Sequence, residues 1–279
     1  MGADFTSVGK LFKSEAYTVE WGTPLKIDAD ATLEIGSGSG HGFTIRWSRF
    51  LPMNDGVDVI SIDFDEGRHP YETKWPADRA PVKVKKARMN SDEYRSLLQL
   101  LGKVASAKLT RADQKSITTT TANFWAFCRL GSKSKVLIDY DWAGYMGSNN
   151  EIKYAKPWAA VQLTRESISK LEFKEYTLSA TDRSWASAKF IREWKDFQKR
   201  DYYWWVRERF IVTIGVVGDK SVFPTLREII GGDPKDRNVY YAINAATRIL
   251  GKDVRDKPYE DMDIEKTRKK LLPLLRGAK

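Results

Sequence analysis

The chain has 279 residues, which suits two domains better than one, because single hydrophobic cores stop growing near about 250 to 300 residues. Its hydrophobic content of 42% and charged content of 30% are those of an ordinary soluble globular protein and exclude a disordered chain. The longest apolar run, 211–217, falls far short of the roughly 18 residues that cross a bilayer, so we expect no integral membrane protein. The single Cys128 excludes an internal disulfide and a zinc site built from cysteines. The sequence does not decide the cellular compartment, and a removed signal peptide before Met1 is compatible with it.

The net charge of +10 indicates an anionic partner. Residues 101–200 hold 18 Lys and Arg against 10 Asp and Glu, whereas residues 1–100 hold 13 basic and 15 acidic side chains. This basic middle predicts contact with nucleic acid, an acidic polysaccharide or another protein. The alternative is a lysine-rich solvated surface without a partner.

In chain order, the first 90 residues predict strands, because short β-branched and aromatic runs alternate with Gly, Pro, Asn and Asp clusters. The predicted strands are 17–21, 43–50, 57–65 and 82–89. Cap residues at 90–93 and an apolar stripe to about residue 106 then predict a helix. Further strands are predicted at 122–130 and 135–141, which flank a hairpin turn, and at 158–163.

From about residue 180 the pattern changes to helices. Thr181-Asp182 can begin a helix whose apolar residues follow a spacing of three and four, which are Ala186, Phe190, Ile191, Trp194 and Phe197. The sequence therefore predicts an α+β fold, with a mainly antiparallel β domain over 1–180 and an all-helical domain over 181–279. Residues 1–180 resemble no family that we recognise.

The stretch from Arg207 to Ile230 has the marks of one helical repeat unit. A helix ends near Gly215 and Gly218, Asp219 follows, and Pro224 falls in the first turn of the next helix, where proline costs no hydrogen bond. This order resembles a HEAT repeat of the short bacterial kind that also occurs in phycobilisome lyases. The matching residues are Arg207, Ile211, Ile214, Gly215, Gly218, Asp219, Val222, Pro224 and Leu226.

A second unit follows with Asp236 as a helix cap and Gly251 after the helix end, 36 residues after Gly215. A charged insert at 252–263 interrupts it before a last helix at 264–275, which Pro273 would bend or end. The resemblance covers residues 202–275 and implies a protein-binding scaffold. The alternative is that these helices only pack on the rest of the chain, because about three repeats are usually needed for an independent core.

Residues 35–43, IGSGSGHGF, resemble the glycine-rich loop of protein kinases, but no HRD motif follows, and Asp63-Phe64-Asp65 lacks the glycine of DFG. A P-loop would need a helix after the glycines, where the sequence predicts a strand. We therefore expect a flexible or tightly turned loop. His41 and His69 are the only histidines, and no GxSxG occurs, so a nucleophilic triad is disfavoured; Cys128 is expected to be a buried, inert thiol.

Paired carboxylates are the best catalytic candidates. Residues two apart on a strand face the same side, so Asp63 and Asp65 form one pair and Asp139 and Asp141 another. Their hairpins, 43–67 and 123–144, have similar patterns. If they adjoin, four carboxylates could converge to bind a hard cation or to divide acid and base roles. His69 and Glu72 are further candidate metal ligands, and the alternative is the solvated face of a sheet.

Ten tryptophans interleave with basic residues, a combination that stacks on and attracts nucleic acid or sugars. The candidate binding residues are Arg183, Trp185, Trp204, Trp205, Arg207 and His41. The alternative is that these aromatic residues belong to the core. Together these features predict a non-catalytic binding or scaffold protein with no cofactor motif, or, as the alternative, a hydrolase or metal-dependent enzyme at the paired aspartates.

Overall fold

The protein is described by a computed structural model. It describes residues 17–39, 44–64, 82–111, 123–132, 135–145, 152–199, 204–255, 257 and 262–277. Four of the sequence candidates, His41, Asp65, His69 and Glu72, lie outside these ranges. No helix in the described ranges is long and apolar enough to cross a membrane.

The described residues form an α+β fold, as the sequence predicts. The strands are β1 (Tyr17–Glu20), β2 (Thr32–Ser39), β3 (Thr44–Met53), β4 (Gly56–Phe64), β5 (Val82–Met89), β6 (Lys108–Arg111), β7 (Asn123–Gly131), β8 (Val136–Tyr145) and β9 (Lys174–Glu175). The helices are α1 (Ser91–Ser106), α2 (Ile152–Ile168), α3 (Ala180–Lys199), α4 (Trp204–Val217), α5 (Phe223–Ile230), α6 (Arg237–Leu250) and α7 (Ile264–Gly277). A short 3₁₀ turn, Lys220–Val222, precedes α5.

The strands form a small sheet of β1 and β6 and a seven-stranded sheet in the order β8-β7-β2-β3-β4-β5-β9. In the large sheet β2 lies between β3 and β7, antiparallel to both. Because β2 separates them, the β3–β4 and β7–β8 hairpins do not adjoin.

The chain divides into two compact units. We call Met1–Asp63 with Val84–Tyr176 the sheet unit, and Phe64–Lys83 with Thr177–Lys279 the helical unit. The sequence predicted a domain boundary at residue 180, and it did not assign the segment 64–83 to the helical part of the chain.

The sheet unit has its core between one face of the sheet and the helices α1 and α2. Alternate residues of the strands supply Leu33, Ile35, Phe50, Val59 and Cys128, and α1 supplies Tyr94, Leu97, Leu98 and Leu101. Asn90 caps α1 by accepting a hydrogen bond from the amide of Asp92 at 2.7 Å, which satisfies one of the free amides of the first turn.

Helices of the helical unit pack both on their neighbours in the chain and on the next helix but one. α4 packs on α6, and α5 contacts both α6 and α7. Asp236 caps α6 through the amide of Asn238, and Gly251 ends it with a φ of 68°, a left-handed conformation that favours glycine. Both caps agree with the sequence prediction, as does Pro224 in the first turn of α5.

Two local predictions were wrong. Residues 158–163 were predicted as a strand and lie inside α2, where Ala159, Ala160 and Leu163 pack into the core of the sheet unit. The burial of this face outweighs the helix-breaking effect of Pro157. The glycine run was predicted as a loop, yet Gly36 and Gly38 lie inside β2.

Candidate functional site

A ladder of alternating charge crosses four strands of the large sheet. The register places Arg49 of β3 opposite Glu34 of β2, Glu34 opposite Arg129 of β7, and Arg129 opposite Asp139 of β8. Residues directly opposite on antiparallel strands face the same side and interact, so the row reads base, acid, base, acid. Arg129 Nη2 donates to Asp139 Oδ2 at 2.9 Å.

The ladder ends on the edge strand β8. The side chain of Asp139 is 51% exposed although it pairs with Arg129. Asp141 lies two residues further along β8 on the same face, opposite Phe127. This edge of the sheet therefore carries two acidic residues, Asp139 and Asp141, and the neighbouring strand β7 carries the basic residue Arg129 opposite Asp139.

The structure does not bring the two predicted aspartate pairs together. Asp63 lies on β4, with β3, β2 and β7 between it and β8, a separation of about 19 Å along the sheet at ~4.8 Å per strand. Its row in the register runs through Arg46, Ser37 and Ala126, on the face opposite to Asp139. Asp63 accepts hydrogen bonds from Arg46 Nε at 2.7 Å and Ser61 Oγ at 3.1 Å.

Metal and thiol chemistry have no visible basis in the described ranges. They contain no group of three His, Cys, Asp or Glu side chains that could hold a metal ion. Cys128 is fully buried, and burial, with a smaller effect of Asp139, raises the pKa of its thiol to about 12. Since the thiolate is the reactive form, this cysteine is inert in the folded protein.

Members of the basic aromatic stretch on α3 have internal partners in the helical unit. Arg183 donates to the carbonyls of Val216 and Gly218, at 2.9 and 3.4 Å, at the C-terminal end of α4, where carbonyls lack helical partners. The buried Trp194 stacks on Phe190 with 5.9 Å between ring centroids. These contacts stabilise the helical unit.

The other candidates from this stretch have mixed positions. Trp185 and Arg207 are half-buried on α3 and α4. Trp204 and Trp205 begin α4, but their side chains lie outside the described part of the structure.

Close contact between α4 and α6 holds the stacked helices together. A Cβ atom added to Gly215 of α4 would lie 2.8 Å from the Cα of Ala245 in α6. Only glycine lets the two backbones approach this closely. The sequence resemblance included Gly215, and the structure gives the physical reason for a glycine there.

A basic strip covers the outer side of α7. The inner side buries Thr267, Arg268, Leu271 and Leu275, and Arg268 donates to the carbonyl of Gly232 and to Glu265. The exposed basic residues on the other side, which we call the α7 strip, are Lys266, Lys269, Lys270 and Arg276. The pattern was visible in the sequence, but sequence reasoning weighed this helix only as a repeat partner.

A buried carboxyl lies between α4 and α6. Glu208 is 1% exposed, and its Oε1 lies 3.3 Å from Nε of Arg237 at the start of α6. Burial raises the pKa of Glu208 to about 7, against the opposing effects of Arg237, Arg209 and Tyr241, while Asp236 adds a small further rise. Sequence reasoning missed this residue, because a lone glutamate in a helix is typical of a solvated face.

Comparisons with known protein families, with curated proteins and with solved structures found no match to this chain.

Proposed function

We propose that the chain is a non-catalytic binding protein whose HEAT-like helices present the α7 strip to an anionic polymer, a nucleic acid or an acidic polysaccharide. The carrying observation is the exposed row of basic side chains on α7, a helix that packs on α5 and α6. Clustered cations attract the repeated phosphates or sulfates of such polymers without any catalytic group.

The packing order supports the HEAT-like part of this proposal. In stacked helical repeats, the first helix of one pair packs on the first helix of the next pair, and the second helix on the second. The contacts of α4 with α6 and of α5 with α7 have this pattern.

The charges of α7 support the anionic character of the partner. Lys266, Lys269 and Lys270 are spaced three and four residues apart, so their side chains are neighbours on one side of the helix. Glu265 is the one acidic residue of α7 and pairs with Arg268, which belongs to the buried side. Lys269, Lys270 and Arg276 are exposed on the other side of the helix.

The alternative, a hydrolase or metal-dependent enzyme, gains no support from the described residues. It requires the aspartate pairs to share a cleft, whereas Asp63 and Asp139 lie on opposite faces and four strands apart.

The test is a binding titration of the full chain with labelled single-stranded RNA and, separately, with heparin, each at several salt concentrations. Replacing Lys266, Lys269 and Lys270 by Glu should weaken binding at least about tenfold and should reduce the salt slope on RNA by about 2, because each lost phosphate contact removes roughly 0.7 from it. Binding of RNA alone identifies a nucleic acid partner, and binding of heparin alone identifies a polysaccharide.

A matched control replaces three exposed lysines of the sheet unit, Lys26, Lys170 and Lys174, by Glu, which changes the net charge equally. This control should lose little affinity. If neither polymer binds, or if the two triple variants lose the same affinity, the proposal is wrong.

A further inference from the structure

Strand β8 leaves a long edge of the large sheet without a partner strand in the described structure. It has ten residues, VLIDYDWAGY, and pairs only with β7 there. Edge strands expose a row of backbone N–H and C=O groups that can pair with another chain, and proteins usually protect them with shortness, proline or charged side chains, especially lysine. The opposite edge, β9, is two residues long and contains Lys174, whereas β8 is long, has neither lysine nor proline, and carries two acids, Asp139 and Asp141, as its charged residues.

The charge of the edge specifies what can pair with it. The row Arg49, Glu34, Arg129, Asp139 alternates in sign and stops at an acid. A strand added outside β8 would therefore continue the alternation by placing a basic side chain opposite Asp139. A second basic residue, two positions along the added strand, would lie opposite Asp141.

A second copy of this chain is a poor occupant of the same edge when it pairs so that the acids of the two copies meet. If two β8 strands paired around a twofold axis near Tyr140, Asp139 of each copy would lie opposite Asp141 of the other. Like charges directly opposite on neighbouring strands are destabilising. In this register the acids disfavour self-association, and on any added strand they favour residues of opposite charge.

We propose that β8 is a docking edge for an extended basic segment of a partner protein, which adds to the large sheet as a further strand opposite Asp139 and Asp141. Main-chain hydrogen bonds supply the affinity, and the two acids select alternate basic residues. This site goes beyond the function proposed above, since it lies on the sheet unit and has the opposite charge to the α7 strip.

The probe is a capped decapeptide of alternating threonine and valine in which two successive threonines are replaced by lysine. Its twin carries glutamate at the same two positions. Fluorescence anisotropy with the full chain should show the lysine peptide binding at least about tenfold more tightly than the glutamate peptide, as two favourable cross-strand pairs become two repulsive ones. Hydrogen exchange should slow at backbone amides of Val136–Tyr145 when the lysine peptide binds.

A charge swap separates recognition from damage to the fold. The double variant Asp139→Lys with Asp141→Lys should reverse the preference, so that the glutamate peptide binds better. The double variant Asp28→Lys with Asp30→Lys has the same spacing and charge change on exposed residues before β2, and it should leave the preference unchanged. A change of preference cannot arise from unfolding alone.

Three results would overturn the proposal: equal binding of both peptides, protection elsewhere than β8, or slowed exchange in β8 that grows with protein concentration alone. The last result would identify a second copy as the occupant. None of them bears on the α7 strip, so the two proposals fail independently.

Discussion

The sheet unit and the helical unit handle their charged residues in different ways. In the sheet unit, ion pairs between neighbouring strands remain partly exposed, as with Arg46 and Asp63 or Arg129 and Asp139. In the helical unit several charged residues are buried, which are Lys189, Glu193, Glu208, Arg209 and Arg268. Buried charges depend on their partners, whereas exposed pairs contribute little, so the helical unit should be far more sensitive to loss of one charge.

The largest expected effect is at the buried pair on α3. Lys189 Nζ lies 3.2 Å from Glu193 Oε1, and the two side chains are 1% and 9% exposed. Replacing Glu193 by Ala removes an acid that pairs with the buried ammonium group of Lys189. The free energy of unfolding, measured by urea denaturation, should fall by about 3 kcal/mol.

The matched comparison is Arg95→Gln on α1 of the sheet unit, which removes the exposed pair between Arg95 and Asp92. This variant should lose less than about 0.5 kcal/mol. Similar losses in the two variants would contradict the contrast between the units.

An intermediate effect, dependent on pH, is expected at Glu208. Its pKa is about 7 in the folded protein and ordinary, near 4.5, in the unfolded chain, so the folded state binds the proton more tightly. The resulting stabilisation is complete below about pH 4.5 and is lost as the pH rises through about 7. Glu208→Gln has no carboxyl to titrate, so it should not lose this stabilisation. Its free energy of unfolding minus that of the parent should therefore be about 2 kcal/mol higher at pH 8.5 than at pH 4.5.

The measurement is the difference in unfolding free energy between variant and parent across pH 4 to 9. Glu228→Gln, at an exposed position of α5, is the matched control for the loss of one carboxylate. A flat difference for Glu208→Gln would show that its carboxyl titrates normally in the folded protein.

The smallest effect is expected at the exposed end of the charge ladder. A double-mutant cycle with Arg129→Gln and Asp139→Asn should give a coupling free energy of about 0.5 kcal/mol, because Asp139 is half exposed. Raising the salt from 0.05 to 0.5 M should weaken the coupling. A coupling free energy larger than the loss of stability in Glu193→Ala would contradict the contrast between the two units.

Local signals in the sequence predicted much of the fold. β5 has the predicted bounds, 82–89, and Asp236 and Gly251 end α6 as expected from cap chemistry. Such signals depend on residues close together in the chain, so they can be recognised from the amino-acid sequence alone.

Contacts between distant residues explain what the sequence did not show. Gly36 looks like a loop residue, yet a Cβ atom there would lie 2.2 Å from Cε1 of Phe127, so the glycine makes room for a ring from a neighbouring strand. The charge ladder depends on β2 pairing with β7 some 90 residues later, and no local pattern specifies that register. Glu208 and Lys189 are charged residues of ordinary helices, and only the packing around them makes them interior groups.

Cys128 can report how often the large sheet opens locally. It is the only cysteine of the chain, it has no exposed surface, and its thiol holds its proton far above neutral pH. A thiol reagent at pH 8 can therefore react only during moments when the strand around it leaves the sheet. The rate of that single modification reports how often the middle of the sheet opens, without any label or mutation.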